Sequence, residues 1–428
     1  MPRIESEMKR FVSLFLIGAG VLAALLAWPR ENKRARGVMP SEVYVWQRSW
    51  TPSLEDAIAE RAEAFAELVA LNAEVTWRSK QPHVTRVALD YAALRSSGRP
   101  VGLALRVGPF AGPFAEEDQR TRYLADLAVS LVEAAKSHGL HPAELQIDFD
   151  AAESKLDGYR VWVEAIRNRV APMPVTITAL PSWLNRAAFK RLIAAADGYV
   201  LQVHSLARPR DARAPFSLCD PTEAKRAVEK AGRLSKPFRV ALPTYGYQIA
   251  FDRGGKFVGL SAEGPAKLWP EGTQLREVRA DPQAMAELIA RWINDRPRAL
   301  TGVIWYRLPV EGDTLNWSWP TLAAVMDGQV PRPGLRVELR RPKPGLVEVD
   351  LINAGQADHN APVRVGLTWN SARFVAGDAL QGFELKGKEN AVEFAATPDS
   401  ARLEAGRRRT IGWVRLDQPA EVHAALEP

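Results

Sequence analysis

The sequence contains very little cysteine: among its 428 residues, only Cys219 carries a thiol. A single cysteine excludes an intramolecular disulfide, although a core of this size does not need one, so an exported location stays open. No CxxC or HExxH pattern is present and the six histidines are scattered, which argues against a structural zinc site. We therefore predict no metal and no cofactor.

Recognisable nucleic-acid-binding modules are missing as well. Lysine and arginine outnumber aspartate and glutamate by 57 to 50, a net charge of +7, and basic runs such as Arg407–Arg409 carry part of this excess. Such a charge indicates nucleic-acid binding only when a known module presents it, and no zinc finger, helix-turn-helix or RNA-binding signature is found. The sequence therefore predicts no nucleic-acid partner.

Long apolar runs are limited to one, Phe11–Trp28, which follows Lys9 and Arg10. The run exceeds the roughly 7–15 apolar residues of a signal-peptide core and is just long enough to span a bilayer. Ala27 offers a weak cleavage site, whereas no cysteine follows that could carry a lipid anchor. Basic residues also lie on the other side of the run, at 30–36, so the positive-inside rule does not decide its orientation. We favour an inner-membrane anchor at residues 11–28 with the remaining chain periplasmic or otherwise extracytoplasmic; the opposite orientation, and secretion after cleavage, are the alternatives.

Beyond this segment, short apolar runs alternate with helical patterns such as Ala57–Leu71 and Glu116–His138. The runs are predicted strands at Val43–Trp46, Val84–Leu89, Val101–Val107, Leu145–Asp150, Val175–Leu180, Tyr199–Val203, Phe238–Leu242 and Val303–Tyr306. Eight strands, mostly followed by helices, predict an α/β fold of the (β/α)₈ TIM-barrel type. A doubly wound sheet would alternate in the same way, but no GxGxxG loop follows the first strand.

The pattern changes at the PRPG stretch, residues 331–334, which is typical of a linker. After it come only short strand-like runs separated by turn residues, which predict a small C-terminal β-sandwich. The sequence therefore predicts three parts: an N-terminal signal-anchor and basic linker at residues 1–37, a barrel at 38–330 and an all-β domain at 331–428.

The fourth predicted strand carries the most informative polar residues. In LQIDFD, Gln146, Asp148 and Asp150 share one face, and the period of two directs that face toward the barrel axis. Two neighbouring carboxylates repel each other, so at least one should have a raised pKa, as acid and base catalysts near neutral pH require. The alternative is that both aspartates merely hydrogen-bond neighbouring strands or cap the following loop.

Other polar and aromatic residues end the predicted strands, where the active sites of such barrels lie. Aromatic faces combined with hydrogen-bonding groups suit a sugar, so we predict a polysaccharide or oligosaccharide partner. The predicted substrate-binding residues are Trp46, Arg48, Asp90, Arg106, Gln146, Trp183, Gln202, His204, Tyr245, Tyr247, Trp305 and Arg307. Trp162 and Trp292, by contrast, are expected to pack between helices.

Two motifs point to a known family. Ile147–Asp150 followed by Glu153 is similar to the DxxDxDxE signature of the chitinase-like family 18 glycoside hydrolases, and Gly302–Trp305 resembles the GVxxW strand beneath their sugar site. More closely, the segments QIDFD, ALPTYGY and GVIWYRLP resemble an uncharacterised bacterial domain family grouped with the TIM-barrel glycoside hydrolases. This resemblance covers about residues 42–310 and implies the barrel fold.

The chain departs from the chitinase signature at two positions. Leu145 occupies the place of its first aspartate, and Ala152 occupies the place of its acid glutamate. Glu153 lies one residue late and would reach the site only through a bulge or early turn. Three functions follow: a glycoside hydrolase with Asp148, Asp150 and the candidate acid Glu153 as catalytic residues, a non-catalytic glycan-binding barrel, or a scaffold protein.

Overall fold

The computed structural model describes residues 33–78, 81–206, 209–262, 268–397 and 402–427. Their largest unit is a closed barrel of eight parallel strands, in which each strand pairs with the next and the last pairs with the first. The barrel strands are β1 Ser41–Val45, β2 Leu68–Arg78, β3 Val101–Val107, β4 Leu145–Phe149, β5 Val175–Ala179, β6 Gly198–Gln202, β7 Phe238–Pro243 and β8 Leu300–Tyr306. The predicted TIM-like barrel is therefore confirmed.

One α-helix follows each barrel strand in the described part of the chain. These helices are α1 Pro52–Arg61, α2 Tyr91–Ser96, α3 Gln119–Ser137, α4 Leu156–Val170, α5 Ala187–Ala195, α6 Pro221–Gly232, α7 Pro282–Asn294 and α8 Trp319–Met326. The local sequence determines where several of these helices begin. Asp220 and Asp281, for example, accept backbone hydrogen bonds as N-caps, and a proline follows each of them. Short 3₁₀ turns occur at 62–64, 153–155 and 181–183.

The second barrel strand lies elsewhere than predicted. The alanine- and glutamate-rich pattern predicted a helix over Ala57–Leu71, but α1 ends at Arg61 and Leu68 begins β2. Residues 68–71 are fully buried, and a short apolar run buried on both faces has no period that separates strand from helix. The prediction of Val84–Leu89 as the second barrel strand is wrong: the strand Gln81–Arg86 instead pairs antiparallel with residues 73–78 of β2 and is not one of the eight parallel strands.

A small three-stranded antiparallel sheet is inserted after β7, where the sequence is irregular and rich in glycine. Its strands are Gly246–Phe251, Phe257–Ser261 and Gln274–Arg279, with the first in the centre. Gly246 permits the close approach of the neighbouring strand, because a Cβ atom there would lie 2.6 Å from the carbonyl oxygen of Val278. The inserted sheet lies beside the C-terminal end of the barrel, where its residues Leu260 and Ser261 line a pocket.

The C-terminal part consists only of strands. They are β9 Leu335–Lys343, β10 Leu346–Asn353, β11 Arg364–Trp369, β12 Phe374–Ala379, β13 Phe383–Lys388, β14 Ala391–Ala396, β15 Arg408–Leu416 and β16 Val422–Glu427. Two four-stranded antiparallel sheets share an apolar core that includes Val349, Val365 and Phe394. Asp350 is buried beside Arg340 and Arg408. The predicted all-β character of this part is confirmed.

The predicted membrane anchor, Phe11–Trp28, lies outside the described residues. Within the described ranges, no helix combines the length and apolar character needed to cross a bilayer. In the same ranges, no group of three or more histidine, cysteine or acidic side chains could hold a metal ion. The short strand Arg34–Ala35 pairs with Arg296–Pro297, so residues assigned by sequence to the N-terminal linker lie against the barrel.

Candidate functional site

A pocket of about 560 Å³ opens at the C-terminal end of the barrel. Its walls are formed by side chains from seven of the eight barrel strands or their following loops, and by the sheet inserted after β7. The lining residues are Tyr44, Trp46, Arg48, Arg106, Asp148, Asp150, Thr178, Val200, Gln202, His204, Ser205, Ala241, Tyr245, Tyr247, Leu260, Ser261, Ala262 and Tyr306. Active sites of (β/α)₈ barrels lie at this end, where they are built from the loops that follow the strands.

Asp148 lies deep in the pocket, with its side chain 15% exposed. The Thr178 hydroxyl donates a hydrogen bond to its Oδ1 at 2.8 Å, and Arg106 Nε lies 3.7 Å from its Oδ2. Burial raises the pKa of Asp148 to about 6, with the charge of Asp150 adding to the effect and Arg106 and Thr178 opposing it. The raised pKa expected from the two neighbouring aspartates is thus present.

Asp150 follows the last residue of β4 and is exposed to solvent at the pocket mouth. Partial desolvation by the surrounding walls raises its pKa, while the positive charge of Arg106 works in the opposite direction. Asp148 and Asp150 therefore form a coupled pair, one buried and one accessible. A carboxyl pair of this kind can hold a proton near neutral pH and transfer it to a bound molecule.

A chain of ion pairs borders the acidic pair. Arg106 Nη1 lies 3.2 Å from Glu74, and Arg48 donates to both oxygens of Glu74 at 2.6 and 2.9 Å. Burial alone would raise the pKa of Glu74, but the hydrogen bonds and charges of the two arginines lower it overall. Glu74 thus stays ionised and holds Arg106 between itself and Asp148.

Aromatic rings cover the opposite wall and the floor. Tyr306 contacts Tyr44, Trp46 and Tyr245, with ring centroids 5.7, 5.5 and 5.2 Å apart. Tyr44 and Trp46 also meet edge to face at 5.1 Å. These rings are tilted or perpendicular to each other, a geometry that favours aromatic pairs and keeps the rings rigid.

Four residues of the same wall form a chain of hydrogen bonds. His204 Nδ1 lies 3.3 Å from the Tyr245 hydroxyl, which lies 3.2 Å from the Tyr247 hydroxyl. The Tyr247 hydroxyl in turn contacts the Ser205 hydroxyl. Complete burial lowers the pKa of His204 to about 3, so this ring is neutral at physiological pH. The chain offers groups that both donate and accept hydrogen bonds, as sugar hydroxyls do.

A buried charge network lies beneath the pocket, in the lower half of the barrel. Arg239 bonds Glu42 at 2.6 Å and Glu144 at 2.7 Å. Gln146 joins this network to the pocket, because its side-chain oxygen accepts from the Tyr44 hydroxyl and its amide donates to Glu144 at 3.3 Å. Gln146 therefore orients Tyr44 from below and lies outside the pocket lining, contrary to its prediction as a substrate-binding residue.

The structure brings together many of the residues singled out from the sequence. Those that line the pocket are Trp46, Arg48, Arg106, Asp148, Asp150, Gln202, His204, Tyr245 and Tyr247. Asp148 and Asp150 both face the pocket at the barrel axis, as the alternation along the fourth strand predicts.

Glu153 lies outside the pocket lining. It begins the 3₁₀ turn Glu153–Lys155, and its carboxylate pairs with the Arg186 guanidinium on the barrel surface. No bulge at the end of β4 redirects its side chain, so the position expected for a displaced acid is wrong. The position occupied by glutamate in the chitinase signature is Ala152, which has no ionisable group.

Four further predicted sugar contacts lie elsewhere. Asp90 caps α2 by accepting from Ala93 N, and Trp183 is buried between Tyr159 and Phe189. Trp305 points outward to Trp317, and Arg307 is buried in an ion pair with Asp313. Aspartates commonly cap helices, and tryptophans commonly pack in the core. A single residue at the end of a predicted strand does not show whether its side chain faces the barrel axis or the surrounding helices.

Of the nine lining residues that were missed, three have aromatic or hydroxyl side chains on barrel strands: Tyr44, Thr178 and Tyr306. Each could have been found by the same alternation that identified the aspartates. Tyr44 shares a face with Trp46, and Thr178 occupies the axial face of the VTITAL strand. On β8, Trp305 and Arg307 were predicted because they end the strand, but Tyr306 between them faces the pocket and Trp305 faces the helices.

A closed barrel of eight parallel strands with a pocket at its C-terminal end defines a TIM-like (β/α)₈ barrel. The family model described as Domain of unknown function (DUF3142) matches residues 97–311. The match covers half of the chain, which therefore belongs to this family. A second model, Domain of unknown function (DUF8456), matches residues 336–417 within the C-terminal sheets.

Several solved structures are similar to this chain at low sequence identity. The spore cortex-lytic enzyme SleL of Bacillus cereus has 12% identity and a TM-score of 0.49, over 69% of this chain and 75% of its own. A chitinase from Chromobacterium violaceum has 15% identity and a TM-score of 0.45, over 68% and 99%. The GH18 chitinase ChiB of Flavobacterium johnsoniae has 11% identity and a TM-score of 0.43, over 68% and 94%. No curated protein matches the sequence.

Proposed function

We propose that this protein hydrolyses a glycosidic bond of a polysaccharide or oligosaccharide, with Asp150 as the proton donor. The observation that carries the proposal is the coupled pair of aspartates, both with raised pKa, in a pocket walled by aromatic rings. Most glycosidases use a pair of carboxyl groups with shifted pKa values as their catalytic residues. The resemblance of the QIDFD strand to the chitinase-like signature supports the same reaction class.

The pocket walls support a sugar as the ligand. A volume of about 560 Å³ lies in the range of small-ligand sites and accommodates one or two sugar rings. The partly exposed ring of Tyr306, packed against the buried Trp46, offers an apolar surface to sugar C–H groups, and the His204–Tyr245–Tyr247–Ser205 chain offers partners to the hydroxyls. A neutral His204 serves such recognition without adding charge.

The two aspartates would have different roles. Asp150 is accessible and lies at the mouth, where a leaving-group oxygen can approach it. Asp148 lies below, held by Thr178 and Arg106, and the charge of Asp150 adds to the rise of its pKa, so the coupled pair shares a proton that Asp150, the accessible member, can deliver. Glu153 has no part in this mechanism because its carboxylate is paired with Arg186 outside the pocket.

A second candidate is a non-catalytic glycan-binding barrel. It is favoured by a specific observation: Ala152 replaces the glutamate of the chitinase signature, and Glu153 does not compensate for it. In that case Asp148 and Asp150 would only accept hydrogen bonds from sugar hydroxyls. The two candidates share the ligand class and differ in turnover.

We further propose that the barrel works outside the cytoplasm, held at the inner membrane by residues 11–28. The apolar run and its two preceding basic residues support this location. The substrate would then be a glycan of the cell envelope or its surroundings.

The proposal is tested by incubating the full-length protein with a broad panel of envelope and extracellular polysaccharides. Products are followed by mass spectrometry, and binding by co-sedimentation with the insoluble members of the panel. New reducing ends from any glycan support hydrolysis, whereas binding without products supports the second candidate. If the panel shows neither, the carbohydrate assignment fails and a scaffold function becomes the leading hypothesis.

A further inference from the structure

The loop between β8 and α8, residues 307–318, is held by the C-terminal sheets. Arg402 Nη1 donates to the Thr314 carbonyl at 2.8 Å, and Arg407 pairs with Glu311. A third contact follows at the start of α8, where the Thr321 hydroxyl donates to the Gln356 carbonyl at 2.6 Å. The loop therefore forms the main polar contact described between barrel and sandwich.

Arg402 is oriented by its own domain before it reaches the barrel. Its Nε and Nη2 atoms lie 3.1 and 2.9 Å from Asp358, and Nη2 lies 3.3 Å from Glu404. The Asp358 side chain is 17% exposed and also accepts from Ala405 N at 3.2 Å. Two carboxylates and a backbone amide thus hold the Arg402–Asp358 pair in one geometry, with Nη1 directed at Thr314.

On its other side, the same loop is bonded to the end of β8. Asp313 Oδ1 accepts from Arg307 Nη2 at 2.9 Å, and Asp313 Oδ2 accepts from Val310 N at 3.2 Å and Asn316 Nδ2 at 3.3 Å. The Arg307 side chain is only 10% exposed. Because the pair is largely buried, its geometry is sensitive to movement of Asp313.

Arg307 directly follows Tyr306 of the pocket, and both are bonded to Thr244. Arg307 N donates to the Thr244 hydroxyl at 2.8 Å, and Thr244 N donates to the Tyr306 carbonyl at 2.8 Å. Trp317 N, at the far end of the loop, donates to the Thr244 carbonyl at 2.7 Å. Thr244 precedes Tyr245, so this junction fixes two tyrosines of the pocket wall.

We propose that the C-terminal sandwich is a positioning domain for the pocket, with Arg402 and Arg407 as its positioning residues. They hold the loop, the loop holds Arg307 through Asp313, and Arg307 fixes Tyr306 against Tyr245. This role goes beyond the proposed hydrolysis and does not depend on which glycan is bound, because it concerns the position of the pocket wall itself.

The test compares the full-length protein with the double variant Arg402→Met/Arg407→Met, which removes both charges at similar side-chain length. The matched control is Arg373→Met, because Arg373 pairs with Asp417 within the sandwich and is 90% exposed. Hydrogen exchange is measured by mass spectrometry for peptides covering residues 306–317 and, as an internal reference, 145–150. In parallel, 3-fluorotyrosine is incorporated and the Tyr306 resonance, assigned with Tyr306→Phe, is compared with that of Tyr159.

Exchange in residues 306–317 should rise at least about tenfold in the double variant and stay unchanged in Arg373→Met. The Tyr306 resonance should shift or broaden while that of Tyr159, on the buried face of α4, does not move. Arg402→Lys/Arg407→Lys should restore both readouts. If the double variant fails to fold, Asp358→Asn, which leaves Arg402 in place without its orienting partner, is read in the same way. Unchanged exchange and an unchanged Tyr306 resonance in a folded variant overturn the proposal.

Discussion

The Thr178 hydroxyl donates a 2.8 Å hydrogen bond to Asp148, the buried member of the acidic pair. The two side chains lie on neighbouring strands, where Ile147 of β4 is paired with Ile177 of β5, and both point to the barrel axis. A hydroxyl that donates to a carboxylate stabilises the ionised form. Thr178 therefore limits the rise in pKa that burial imposes on Asp148.

Thr178→Val removes this hydrogen bond with little change in volume. We expect the higher titration of the aspartate pair to move above its value of about 6, because desolvation and repulsion then act on Asp148 without the opposing hydrogen bond. The titration is followed by ¹³C NMR of aspartate carboxyl groups. Thr301→Val, which removes a hydroxyl bonded to Phe238 O at the other end of the barrel, is the control. An unchanged or lower value after Thr178→Val contradicts the assigned contact.

Arg239→Met should destabilise the barrel strongly. Arg239 is bonded to Glu42 and Glu144, and its loss leaves two carboxylates buried without a counter-charge. The expected decrease in the free energy of unfolding is about 3–5 kcal/mol. Arg167→Met, which breaks an exposed pair with Asp197, should cost no more than about 1 kcal/mol. The free energy of unfolding of both variants is measured by urea denaturation. Equal losses of stability in the two variants would mean that the buried network contributes little.

The predicted domain boundary at the PRPG linker can be tested directly. Residues 38–330 expressed alone should give a soluble barrel that unfolds cooperatively, because the barrel and the sandwich have separate apolar cores. Thermal unfolding followed by circular dichroism is the measurement. If the fragment aggregates while the full chain stays soluble, the sandwich belongs to the barrel's packing and the boundary is misplaced.

The proposed location is tested with topology reporters. With residues 11–28 as an inner-membrane anchor, an enzyme that is active only in the periplasm should be active when fused after Pro428. A reporter that works only in the cytoplasm serves as the counterpart. Activity of the cytoplasmic reporter alone would reverse the orientation.

The barrel could be predicted from the sequence because most of its strands are separate apolar runs followed by capped helices. The second strand could not, since Leu68–Leu71 is buried on both faces and continues an alanine- and glutamate-rich helix without a turn residue between them. In the site, strict alternation predicted the facing of Asp148 and Asp150. Glu153 and Arg307 could not be placed, because their direction depends on ion pairs with residues distant in sequence, such as Arg186, or within an irregular loop.

The central claim, proton transfer by Asp150, is tested most directly by Asp150→Asn measured for turnover and binding on the same glycan. The substitution removes the transferable proton while preserving shape and hydrogen-bonding capacity. Glu153→Gln is the matched control, since it neutralises a nearby carboxylate that lies outside the pocket lining. Both variants are compared with the wild type on the most responsive glycan of the panel, by initial rates and by isothermal titration calorimetry.

We expect Asp150→Asn to lower turnover by at least about a hundredfold, as for the loss of a general acid, and to change affinity much less. A site that only binds should instead lose about 1–3 kcal/mol of affinity, with no turnover to lose. Glu153→Gln should leave both quantities close to the wild-type values. A wild type that binds its glycan without turnover, or an Asp150→Asn variant that hydrolyses it at the wild-type rate, would contradict the account.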